Sequence, residues 1–256
     1  MDKLLVTGGK EIAGDVVISG SKNAVLPIMT ATLIVPGRYK INNVPYLKDT
    51  KTMIQLLEII GSKVVYDKNT LDIDTTNCNN PCAPYDLVKT MRASFYVLGP
   101  LLSRFHHSEV SLPGGCAWGP RPVDFHIKAL KKMKVNIKLD SGNIIADGQP
   151  NGAEIIFKKK SVGATGNVLM AAVKAKGKTK IINAAREPEI VSLGEFLIKL
   201  GAKITGLGTD TISILPIENE NNNFEFDIIP DRIEAGTFMI AAASIGGDIQ
   251  LKNIEP

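Results

Sequence analysis

Apolar and polar positions along this chain follow a pattern that returns at a fixed interval. Four amphipathic, small-residue-rich stretches begin at Ser21 (SKNAVLPIMTATLI), Met91 (MRASFYVLGPLLSR), Val162 (VGATGNVLMAAVKA) and Ile233 (IEAGTFMIAAASIG), at offsets of 70, 71 and 71 residues. Each reads as a helix. Each is preceded by a strand-like run, at residues 15–18, 84–88, 154–157 and 224–229. Each is followed by a short extended piece, at 38–41, 109–112, 179–182 and 248–251. A second helical stretch recurs in three of the units, from Thr52, Val123 and Glu189, with apolar residues three and four positions apart. Gly61 and Gly201 fall where a helix C-terminal glycine belongs. Closing strands are expected at 71–74, 143–146 and 211–215.

The pattern therefore predicts a strand-helix-strand-helix-strand unit written three times, with a fourth begun. Such units bury their helix faces only against one another. Ala24, Ala93, Ala164, Ala171, Ala172 and Ala235 let the first helices approach closely, so the expected fold is α/β, with helices inside and sheets outside. Three units about a pseudo-threefold axis predict a closed domain at residues 21–228. Residues 1–20 and 229–256 are expected to belong to an incomplete second domain. Phe238, Met239 and Ile240 would then expose apolar surface and make the isolated chain prone to associate.

Composition narrows the function classes. The 256 residues are 44% hydrophobic and 22% charged, ordinary for a globular protein, and aromatics are only 5%, so the core is aliphatic. A net charge of +4 suits an anionic small substrate. Lysines are spread out, apart from Lys158-Lys159-Lys160, and no basic block alternates with stacking aromatics, so no nucleic acid is expected. No run of 18 apolar residues occurs, and the start is too quickly polar for a signal peptide. A cytoplasmic protein without a membrane partner is expected. Three cysteines, Cys78, Cys82 and Cys116, argue for free thiols in a reducing compartment. Cys78 and Cys82 lack the second half of a zinc site and read as structural, so no metal is expected. None of His106, His107 and His126 stands in a nucleophile-base signature, and His126 reads as a packed or capping residue.

One segment carries candidate chemistry. Residues 112–122 (LPGGCAWGPRP) place Cys116 between glycine-proline hinges, five residues before Arg121 and two before the only tryptophan. Flexible ends, a rigid middle, a thiol and a guanidinium suit a closing lid. A packed, inert cysteine in a surface loop is the alternative reading.

Six motifs together, Gly20-Ser21-Lys22-Asn23-Ala24, Lys89-Thr90-Met91-Arg92-Ala93-Ser94, the Cys116 loop, Gly119-Pro120-Arg121-Pro122-Val123-Asp124, Ser161-Val162-Gly163-Ala164-Thr165 and Ala185-Arg186-Glu187-Pro188-Glu189-Ile190, resemble the enolpyruvyl transferases. Among these the likeness is to the UDP-N-acetylglucosamine 1-carboxyvinyltransferases. It runs in order from Met1 to Pro256 and implies an inside-out α/β barrel. It also implies a reaction. The sugar 3′-hydroxyl adds to C2 of phosphoenolpyruvate as C3 is protonated, and the tetrahedral intermediate loses phosphate. No metal or organic cofactor is implied. The chemistry needs clamps on a polyanion, a proton donor and acceptor, and exclusion of water.

By the same resemblance, Lys22 and Asn23 match residues that contact both substrates, Lys22 being counted among the catalytic ones. Cys116 matches the lid cysteine assigned to proton transfer or product release, and attacked by fosfomycin. Arg121 matches the arginine that grips phosphate, and Arg92 another basic position of the cleft. Pro122, Val123, Asp124 and Phe125 match the stretch that holds uridine. Lys159, Ser161, Val162 and Gly163 match the diphosphate-binding turn. Glu187, Glu189, Asp231 and Arg232 lie in matching stretches either as substrate contacts or as domain contacts. The family has about six such units in two domains, so its proton acceptor and later arginines are expected beyond Pro256.

Overall fold

A computed structural model describes residues 3–112 and 123–254. Cys116, Arg121 and Pro122 lie outside the described residues. The first unit contains β1 (Ile12–Val17), α1 (Lys22–Ala31), β2 (Arg38–Asn42), α2 (Lys48–Ile60), β3 (Lys63–Asp67) and β4 (Thr70–Asp74). The second contains β5 (Cys82–Ala83), α3 (Tyr85–Val88), a 3-10 segment at Arg92–Val97, α4 (Leu98–Phe105), β6 (His107–Ser111), α5 (Asp124–Lys132), β7 (Asn136–Asp140) and β8 (Asn143–Asp147). The third contains β9 (Glu154–Ile156), α6 (Val162–Ala172), β10 (Thr179–Ile182), α7 (Pro188–Lys199), β11 (Lys203–Thr205) and β12 (Thr211–Leu215). Then follow β13 (Asn223–Asp227), α8 (Arg232–Ile245) and β14 (Gly247–Lys252).

Helices lie inside. Every residue of α1 from Ala24 to Ala31 and of α6 from Ala164 to Ala172 is buried. The sheets lie outside them, and their strands alternate between covered and open positions, as in the exposed-intermediate alternation of β3 and β13. Three four-stranded sheets share one plan, in orders β13-β2-β4-β3, β5-β6-β8-β7 and β9-β10-β12-β11 reading from the opening strand. In each, the opening strand is parallel to its neighbour and the two remaining pairings are antiparallel.

Each unit carries one strand more than the pattern predicts. β3, β7 and β11 grow from what reads as the tail of the second helix. Gly61 turns the chain with φ 110° and Gly201 with φ 116°, while Lys134 does so with φ 65° in the second unit. Beyond that left-handed residue the chain starts a hairpin with the closing strand. A second difference concerns residues 84–88, expected as a strand and found as α3. Pro84 is extended before the turn and its carbonyl accepts from Leu87 and Val88, so the run closes a helical turn (N···O 3.2 Å each). The helix expected from Met91 opens as the 3-10 segment before α4 continues it.

The first sheet is completed by β13, not by β1. β1 instead pairs in parallel with β14, from Ile12↔Gly247 to Val17↔Lys252. The two chain crossings are tied together: Ser21 N–H donates to the Ile229 carbonyl and Asp231 N–H to that of Ser19, both at 2.8 Å. Gly20 sits where they cross, and a Cβ there would lie 1.7 Å from the Asn43 carbonyl oxygen, so no other residue fits. Behind β13, Phe196 packs against Tyr39, Phe224 and Phe226 with ring centroids 6.0, 5.2 and 5.4 Å apart. In contrast, α8 buries only Ala235 among its residues; Met239 and Ile240 are 59% and 69% exposed. Phe238 is half-buried.

Cys78 is buried beside Ser62, at 3.2 Å, and Cys82 is partly buried. Burial pushes both thiols up, which keeps them protonated and inert. Among the described residues no group of His, Cys, Asp and Glu could hold a metal ion, and no helix is long and apolar enough to cross a membrane.

Candidate functional site

The repeat sets α1, the 3-10 segment and α6 side by side, and their N-terminal ends open into one cleft of about 500 Å³. Its walls include Lys22, Asn23, Arg92, Val123, Ser161, Val162 and Gly163. Serine starts two of the three helices for a local reason: Ser21 and Ser161 each cap the helix, accepting from Ala24 and Ala164 N–H at 3.3 Å. The next amides, at Val162 and Gly163 in α6, have no acceptor within their own helix. Converging helix N-termini carry positive partial charge and free N–H groups, the ordinary seat of a phosphate or carboxylate.

Two cations add to this field. Lys22 is half-exposed and its Nζ stands 3.2 Å from Asp49 Oδ2, while its backbone N–H donates to Asp231 Oδ2 at 3.2 Å. Arg92 lies close enough to His126 for its charge to act on the imidazole. Asp49, Tyr96, His126 and Asn167 also line the cleft, and reading the sequence did not single them out as site residues. A signal existed for Asn167, an amide in the middle of an otherwise small and apolar helix.

Three expected binding residues stand elsewhere. Asp124 begins α5 outside the cleft lining; its Oδ2 accepts from Lys128 Nζ at 2.7 Å, which holds the carboxyl below its usual range. Asp124 Oδ1 is buried with no partner among the described residues. Phe125 packs edge-on to Phe157, with centroids 6.3 Å apart. Lys159 is exposed on the strand-to-helix turn before Ser161.

Beside the main cleft is a smaller one of about 260 Å³, lined by Glu187, Glu189, Tyr96 and Arg232 among others. Glu189 is only 3% exposed and takes Arg232 in a two-pronged ion pair at 3.0 and 3.2 Å. Asp231 caps α8, accepting from Ile233 and Glu234 N–H at 2.9 and 3.2 Å. Asp231, Glu189 and Arg232 thus fasten the start of α8 to α1 and α7. Burial, and then Glu189, push the Tyr96 hydroxyl well up, so it stays protonated.

His126 is 5% exposed, and desolvation with the Arg92 charge depresses it from 6.5 to about 4. Its folded value lies below its unfolded one, so the unfolded chain binds the proton first as pH falls. Stability contributed by the neutral ring is complete above about pH 6.5 and is lost down to about pH 4. The expected loss is on the order of 3 kcal/mol. Urea midpoints at pH 7 and pH 4.5 should show it, and His126→Gln should flatten that part of the slope; an unchanged slope would contradict a buried neutral His126.

The architecture and this site define an α/β protein in which helix N-termini and two cations converge on one cleft. The chain belongs to the EPSP synthase (3-phosphoshikimate 1-carboxyvinyltransferase) family, which it matches over residues 6–256. It is 52% identical over its whole length to the UDP-N-acetylglucosamine 1-carboxyvinyltransferase of Geotalea uraniireducens, covering 61% of that protein. To the protein of the same name from Acinetobacter baylyi it is 48% identical, covering 62%. The chain thus spans about three-fifths of the length of these curated relatives. Among solved structures, the enolpyruvyl transferase NikO from Streptomyces tendae superposes with a TM-score of 0.79 at 22% identity, over 91% of this chain and 55% of that one. An EPSP synthase from Acinetobacter baumannii does so with 0.75 at 18% identity, over 96% and 57%. These two likenesses show the fold, that of the enolpyruvyl transferases.

Proposed function

We propose that this chain forms the nucleotide-sugar side of an enzyme that transfers the enolpyruvyl group of phosphoenolpyruvate to the 3′-hydroxyl of UDP-N-acetylglucosamine, releasing phosphate. The observation that carries the reading is the cleft at the three helix N-termini, which gathers Lys22, Asn23, Arg92, Val123, Ser161, Val162 and Gly163. The names of relatives about half identical over the whole chain agree with it. In this reading Ser161, Val162 and Gly163 hold the diphosphate, with Lys159 at its edge. Pro122, Val123, Asp124 and Phe125 are assigned to holding the uridine. Lys22, Asn23 and Arg121 clamp phosphoenolpyruvate, and Cys116 serves proton transfer or product release as the target of fosfomycin. The reaction would take place in the cytoplasm and open peptidoglycan synthesis, with consequences for cell wall, shape and division.

We place the closed domain at residues 21–228, because β13 completes its first sheet, and the beginning of a second domain at residues 1–20 and 229–256, because β1 pairs with β14. The active cleft of the whole protein then lies between the two. A second reading is favoured by the 61% coverage of the relatives: the 256 residues bind UDP-N-acetylglucosamine without turning it over. Phosphate release from both substrates, with and without fosfomycin, separates the readings when paired with calorimetry of UDP-N-acetylglucosamine. Fosfomycin-sensitive release is the result expected of a complete site, and binding without release that of the sugar-nucleotide side alone. The absence of both binding and release would overturn the proposal.

A further inference from the structure

The side-chain amide of Asn167, 1% exposed, has every hydrogen-bonding position toward its neighbours engaged. Gly99 N–H donates to Oδ1 at 2.8 Å, which identifies the oxygen. Nδ2 then has two protons, one reaching the Phe95 carbonyl at 3.2 Å and the other pointing at His126 Nδ1 at 3.0 Å. Nδ1 must accept, and a neutral imidazole that accepts at Nδ1 carries its proton on Nε2. A proton on Nδ1 would set two donors against each other. The T-shaped contact of Phe95 with the ring, centroids 4.9 Å apart, holds its plane.

His126 lines the cleft, as does Gly163 at the start of α6. A Cβ placed on Gly163 would lie 3.3 Å from both Nε2 and Cε1, so this edge of the ring lies against the first turn of α6. The ring is almost wholly buried, and its hydrogen bond to Asn167 engages Nδ1, not Nε2. The charged groups acting on the ring are Arg92 from the 3-10 segment, which favours the neutral form, and Asp124 on its own helix, which opposes it. The facing turn of α6, residues 161–167, contains no titratable side chain.

We propose that His126 is a neutral hydrogen-bond donor to the diphosphate of the bound nucleotide sugar, acting with the amides of Val162 and Gly163, and that Asn167 is the positioning residue that keeps its proton on Nε2. This rests on the substrate proposed above. A neutral donor grips a phosphate oxygen without titrating where imidazole ordinarily does, so affinity stays level between about pH 5 and pH 8. The diphosphate keeps its charge across that range, and the ring adds direction rather than charge to a cleft that is already positive.

Calorimetry of UDP-N-acetylglucosamine on the full 256-residue chain tests this. The unaltered chain should bind with a level pH profile. His126→Phe should lose about tenfold or more in affinity, the worth of a hydrogen bond to a charged group. His126→Gln, whose amide nitrogen reaches the place of Nε2, should restore most of it. Asn167→Asp draws the proton to Nδ1; its affinity should fall as pH rises, because loss of the imidazolium charge leaves Nε2 an acceptor facing phosphate. Since Asn167 is buried, that variant is backed by nitrogen-15 NMR of the unaltered chain, in which the Nε2-protonated tautomer is expected at neutral pH. The Nδ1-protonated tautomer or an imidazolium would overturn the inference, as would undiminished binding by His126→Phe. Failure of the unaltered chain to bind would overturn the substrate itself, and the role of His126 with it.

Discussion

Phe196→Ala is expected to destabilise the chain by about 3–5 kcal/mol, the cost of removing a large aromatic from a site that cannot collapse. Phe196 is fully buried, and its ring contacts Tyr39 from β2 and both Phe224 and Phe226 from β13. It belongs to the third unit, Tyr39 to the first, and the other two to the strand that completes the first sheet. A void here would loosen the seam between the third unit and the first sheet as well as α7. For a domain of this size each kcal/mol moves Tm by about 2–4 °C, so a fall of roughly 6–20 °C should appear in a thermal melt. Phe196→Leu, which keeps most of the volume, should lose clearly less. A melt shifted by under roughly 2 °C in the alanine variant would mean that this cluster does not hold β13.

Lys22→Ala is expected to act the other way round, large on the ligand and small on the fold. Its ion pair with Asp49 is half open to solvent, side chains 41% and 35% exposed, and such pairs contribute about 0–1 kcal/mol. A hydrogen-bonded charge on a bound polyanion is worth about 1.5–3 kcal/mol. The affinity for phosphoenolpyruvate should therefore drop about tenfold to a hundredfold while the urea midpoint hardly moves. Equal affinity in the variant would remove Lys22 from the proposed clamp. A collapse of stability would assign it to the fold instead.

Much of this architecture is legible in the sequence because local physics marks it. Small residues return every 70 or 71 positions where helices must approach, and Gly61 and Gly201 stand where the chain turns left-handed. What stayed hidden has nonlocal or masked causes. β3, β7 and β11 are short continuations of helical periodicity, and in the second unit the turn falls on Lys134, which carries no glycine signal. α3 is a single turn whose Tyr85, Leu87 and Val88 read as strand, while its closure depends on the Pro84 carbonyl. In the site, motif by motif reading found the helix starts that meet in the cleft. It left His126 as a packing residue because burial is indeed its larger feature. Only the three partners of Asn167 reveal which nitrogen holds the proton.

The parallel pairing of β13 with β2 also sets a timetable. Asn42 Nδ2 donates to Asp227 Oδ1 across 185 positions of sequence, so the first sheet remains one strand short until that aspartate has left the ribosome. At about 5–20 residues per second the wait is roughly 10–40 s. Through that interval β2 presents an unpaired edge. Pairing at so long a separation is intrinsically slow once it becomes possible. The second and third sheets, built from strands within their own units, have no such delay, and the order in which this chain is made favours their forming before the first is closed.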